Sequence, residues 1–164
     1  MFEKVKKKIC FVLEVLMAVF LVAMVLLNVV QVVCRYFISL SIIWAEDVAI
    51  YCLHWCVCFA MPLLWLLKDH MIMDIANSIF PKKFLKILDI LIDLIMIYFG
   101  IVFAYKGFYA AKVNKGYVMS VAGYDEFWKY IPYGIGGILL SIAAVMTLYE
   151  RIRYFKVEVE GAKK

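Results

Sequence analysis

Residues 31–52 read QVVCRYFISLSIIWAEDVAIYC. Gln31 and Arg35 close one oily run, and Trp44, Glu46 and Asp47 open the next. Both flanking runs are long enough to cross a bilayer, whose hydrocarbon core takes about 20 apolar residues as a helix. A cation and two acids across so short a gap mark a corner at a membrane surface. Two consecutive spans turn there.

The rest of the chain repeats the theme. It has 164 residues, 67% of them hydrophobic, against the roughly half expected of a soluble domain. One water-soluble core of this size cannot absorb the excess, so the class is an all-α integral membrane protein. Four apolar runs stand out near residues 11–34, 46–67, 85–106 and 131–149. They predict helices over about 11–36, 45–67, 84–110 and 131–152, in a single membrane domain spanning 1–164. The first run follows Lys4, Lys6, Lys7 and Lys8 as a secretory signal would. It exceeds the 7–15 residues of such a signal's apolar core and is read as a retained helix.

Basic residues set the orientation. The two terminal flanks and the segment between the second and third runs hold thirteen Lys and Arg, while the alternate side holds five. The positive-inside rule puts both termini in the cytoplasm. The net charge of +5 is then topology and contact with anionic lipid, not nucleic-acid binding.

Polar residues inside the oily runs are the candidates for function. Asn28, Gln31 and Arg35 recur at i, i+3 and i+7 and share one face of helix 1, which is expected to point at protein. Arg35 alone could instead snorkel to the outer surface. Trp44 reads as an interfacial anchor. Glu46 and Asp47 suit the N-terminus of helix 2 through its macrodipole, and either can pair with Arg35 across the corner. Ala45, Ala49, Cys52, Cys56 and Ala60 form a small-residue stripe along helix 2, where another helix can approach closely. Gly134, Gly137 and Ser141 form a second on helix 4, which is expected to open on Pro132 in its first turn.

The segment LLKDHMIMDIANSIFPKK at 66–83 carries Asp69, His70 and Asp74 among apolar residues and predicts a short interfacial helix. Asp89 and Asp93 lie one turn apart on helix 3. Asp93 sits about 15 Å along it at 1.5 Å per residue, so it contacts protein or carries an ion. With no hydroxyl evident nearby, the structural contact is the stronger reading. His54 is read as a hydrogen-bonded residue rather than a haem or metal ligand. Segment 107–130, with Gly116 and Gly123 as breaks, is an outer connector or a docking surface.

In order and spacing the chain resembles the small, DctQ-like membrane subunit of tripartite ATP-independent periplasmic (TRAP) transporters. The residues that carry the resemblance are Arg35-Tyr36 closing helix 1 and Trp44-x-Glu46 opening helix 2. His70 and Asp74 follow helix 2, Pro81 precedes helix 3, Asp93 lies within it and Pro132 starts helix 4. The resemblance runs from Val12 to Arg151. It implies a scaffold beside a larger, DctM-like membrane subunit in the bacterial inner membrane. It also implies sodium-coupled uptake of an organic acid or similar carboxylate, delivered by a periplasmic substrate-binding protein. Arg35, Trp44, Glu46, Asp47, His70, Asp74 and Asp93 are then subunit-contact or structural positions. No catalytic, cofactor or metal role is assigned. Two other classes compete: a quinone-linked thiol oxidoreductase using the five cysteines, and a small homo-oligomeric exporter.

Overall fold

The computed structural model describes residues 2–37, 42–67, 82–118, 123 and 125–161, with side chains left aside at 2, 3, 43, 82–86 and 154–161. The expected helix between the second and third spans, with His70 and Asp74, falls outside the described residues. Among those described, four helices follow one another: α1 (Phe2–Phe37), α2 (Ile43–Leu67), α3 (Lys82–Val113) and α4 (Phe127–Gly161). Each is long and apolar enough to cross a membrane, so the chain is a multi-pass membrane protein. In lipid, helices are the spanning form that satisfies every backbone group within the segment.

The helices pack as a row. α1 lies against α2, α2 against α4, and α4 against α3. The two inner helices, α2 and α4, bury far more of their surface than the outer pair. The main core lies among α1, α2 and α4, around Leu13, Phe59, Leu63, Leu66, Leu140 and Ala144. Phe20 stacks on Trp55 at 5.8 Å, and Trp55 on Phe59 at 5.7 Å.

α3 and α4 meet through missing side chains. Gly100, Ala104 and Gly107 on α3 face Gly134, Gly137 and Ser141 on α4. A Cβ on Gly137 would run into the backbone of Ala104 and Gly100, and one on Gly107 into that of Tyr133 and Gly134. The stripe read on α4 therefore finds a matching stripe on its neighbour. The stripe on α2 is also covered: Ala45, Ala49, Cys52 and Cys56 are buried.

Two expectations change. α4 opens at Phe127, so Pro132 sits beyond its first turn. The reason is Asp125, whose Oδ1 accepts from Phe127 N at 3.1 Å. An acidic side chain bonded to an early helical N–H starts a helix ahead of any proline. The same carboxylate accepts from Gly116 N at 3.1 and 3.0 Å. Gly116 (φ 93°) thereby turns the chain just past α3, in a backbone region open to glycine.

The second change is on α1. Asn28 and Arg35 are exposed and Gln31 is half-buried, so among the described residues no element of this chain fully covers their shared face.

Candidate functional site

Ion pairs gather at the end of the row where α1 begins and α4 finishes. Lys6 Nζ lies 2.7 Å from Glu150 Oε2, joining α1 to α4. The next residue, Arg151, turns the other way and spans two acids on α3. Its Nη1 lies 2.8 Å from Asp89 Oδ2 and its Nε 3.1 Å from Asp93 Oδ2. Asp89 and Asp93 are one helical turn apart, so one guanidinium reaches both.

Asp93 has no exposed surface. Thr147 supplies its other oxygen: Oγ1 stands 3.2 Å from Asp93 Oδ1 and 2.9 Å from the Ala144 carbonyl. A hydroxyl has one proton to give, and a carboxylate is the stronger acceptor. Thr147 in turn accepts from Trp65 Nε1 of α2 at 3.1 Å. The chain of contacts Trp65–Thr147–Asp93–Arg151–Asp89 thus crosses α2, α4 and α3, and Lys6–Glu150 adds α1. A buried carboxylate is tolerable only when paired and hydrogen-bonded, and both conditions hold at Asp93.

The sequence alone leaves Asp93 facing protein or carrying an ion, with the structural contact favoured, and shows no hydroxyl beside it; in the fold Thr147 is that hydroxyl. Its signal was present in the register. Thr147 and Arg151 are i and i+4 on α4, as Asp89 and Asp93 are on α3. Both helices carry these residues at the same end. Antiparallel neighbours with complementary groups at matching depth will pair. Trp65 gave no comparable signal, since its role depends on which helix lies beside α2.

At the opposite end, Trp44 and Glu46 are exposed and Asp47 is half-buried in the first turn of α2. Arg35 stands in the last turn of α1. Among the described residues no ion pair joins Arg35 to Glu46 or Asp47. The structure brings Asp93 into the clamp and leaves Arg35 and Trp44 on the surface.

His54 meets the edge of Tyr133 with ring centroids 5.0 Å apart. No group of three His, Cys, Asp or Glu side chains that could hold a metal occurs among the described residues. The five cysteines are free thiols; Cys34 is half-buried and the other four are buried. Chemically, the arrangement at the clamp can fix helices at a set depth and rotation, with every charge facing an opposite one.

A family model described as tripartite ATP-independent periplasmic transporters, DctQ component, matches residues 24–154. No curated protein matches the chain.

Proposed function

The chain belongs to the DctQ component family of tripartite ATP-independent periplasmic transporters and is a small membrane subunit of such a system; from that premise we propose that it acts as a scaffold. It would hold a larger, ion-coupled membrane subunit in the bacterial inner membrane while that subunit moves. The cargo on this reading is an organic acid or similar carboxylate. A periplasmic binding protein delivers it, and a sodium gradient drives its entry.

The observation that carries the scaffold reading is the polar clamp. Trp65, Thr147, Asp93, Arg151 and Asp89 tie three helices together, and Lys6–Glu150 ties in the fourth. Close glycine contacts fix α3 on α4. A row locked at one end and seamed along one interface favours a rigid support over an alternating pathway. The broad surfaces of α1 and α3 offer room for a partner.

The clamp lies at the end that bears most of the Lys and Arg, which the positive-inside rule assigns to the cytoplasm. Arg35, Trp44, Glu46 and Asp47 then face the periplasmic side. Arg35 is exposed in the chain alone, so its proposed role is in the assembled complex. Arg35→Ala should lower the yield of complex without lowering the stability of the isolated subunit. Unchanged assembly and uptake would remove Arg35 from the contact.

The test of the scaffold is a tagged pull-down in mild detergent from the native host. An equimolar, many-helix membrane protein should be recovered. Recovery of this chain alone as a stable homo-oligomer would sink the reading.

A further inference from the structure

Tyr98 sits in the middle of α3, five residues from the clamped Asp93 and eight from Lys106. At 1.5 Å per residue it lies about 8 Å from the clamp and about 12 Å from the lysine that marks the other surface. Its side chain is 71% exposed. Among the described residues its hydroxyl has no hydrogen-bond partner. Tyr105 and Tyr109, also exposed on α3, stand near Lys106 and Lys112, where their hydroxyls reach the interface as belt tyrosines do. Tyr98 is too deep for that. An unbonded hydroxyl in hydrocarbon is costly.

The other outer helix resolves the same problem internally. The exposed surface of α1 through its middle is Val and Leu, as at Val19, Val22, Val25 and Leu26. Its exposed amide, Asn28, donates from Nδ2 to the carbonyl of Met24 at 2.8 Å within the same helix. Lipid can therefore cover α1 from Val19 to Leu26, between the exposed Glu14 toward its start and the exposed Arg35 at its close. The Tyr98 face of α3 needs a hydrogen-bond acceptor at mid-membrane depth, which lipid tails lack.

We infer that the α3 face carrying Leu94, Tyr98 and Ile101 is where the larger membrane subunit docks, through a transmembrane helix that offers Tyr98 an acceptor. This rests on the scaffold reading above and adds a mid-membrane contact on α3 to the one proposed for Arg35 at the far end of α1. Aromatic side chains are enriched at the centres of protein interfaces, and a mid-membrane hydroxyl fixes the depth at which two helices register.

The experiment places the photo-crosslinker benzoylphenylalanine at Tyr98 or, separately, at Val22 of α1, in membranes holding the whole native complex. Tyr98 should yield an adduct with a large membrane protein, and Val22 none. Tyr98→Phe should leave the thermal stability of the isolated chain unchanged, because the hydroxyl has no hydrogen-bond partner among the described residues. The same variant should lose about fivefold in retention of the large subunit, the worth of one hydrogen bond. Adducts from Val22 but not Tyr98, with the large subunit still co-purifying, would overturn the face and leave the scaffold standing. An adduct of Tyr98 with a second copy of this chain would also overturn it. Failure of the unaltered chain to retain any large membrane protein would overturn both.

Discussion

Asp93 decides how the clamp can be tested at the level of single side chains. It is fully buried, and Arg151 and Thr147 share its two oxygens. Asp93→Ala leaves part of a guanidinium facing an apolar gap, and removal of one partner from a buried pair costs about 3–5 kcal/mol. The loss should fall at the low end, about 3 kcal/mol, because Asp89 still holds Arg151. Thr147→Val keeps the shape and removes a donor to Asp93 and an acceptor for Trp65, for about 1–3 kcal/mol. Lys6 and Glu150 remain partly open to solvent, so Glu150→Gln should cost under about 1 kcal/mol. Thermal unfolding of the purified subunit in detergent reads all three. A loss at Glu150 as large as at Asp93 would show that burial does not set the strength of these contacts.

At the scale of elements, the α3–α4 seam carries the sharpest steric demand. Gly137 and Gly107 each face backbone, which cannot rotate away. Gly136, one residue along, would place its Cβ 3.2 Å from Cys58 Cα, a contact that a small shift of α2 relieves. Gly137→Ala should therefore cost more than Gly136→Ala, within the roughly 1–3 kcal/mol of an overpacked core. Gly137→Leu should abolish the folded peak in size-exclusion chromatography. Gly116 offers the contrast: open space surrounds it, but its φ is +93°. There, Gly116→Ala should disturb the outer turn at Asp125 and leave the seam intact. Equal melting points for the Ala variants at 136 and 137 would mean that the two helices can part without penalty.

For the molecule as a whole, the row of helices links topology to accessibility. Lys6–Glu150 puts the start of α1 and the end of α4 at one end. If that end is cytoplasmic, Cys34 near the close of α1 is the cysteine closest to the outside, and the other four are buried. A membrane-impermeant maleimide applied to intact cells should then label Cys34 at most. Labelling that survives Cys34→Ser would contradict either the orientation or the burial. The same geometry explains why α1 and α3 are the surfaces left for partners: in a row, only the ends and the broad sides stay open.

The spans, their number and the corner near Arg35 were legible in the sequence, because a bilayer requires about 20 apolar residues per helix with every backbone group bonded internally. The place of Asp93 along its helix was legible too, since the helical rise is constant. The small face on α4 was visible as a stripe, though not the glycines on α3 that receive it. What only the tertiary structure decided is the order of the row and the identity of each contact: Thr147 beside Asp93, Trp65 reaching Thr147, and Tyr98 left facing outward. The physical reason is that membrane helices are apolar on nearly every face. Hydrophobic pattern, which marks the buried side of a soluble helix, does not separate lipid-facing from protein-facing residues. Steric fit between small residues and the pairing of a few polar groups make that choice, and both exist only once the helices are side by side.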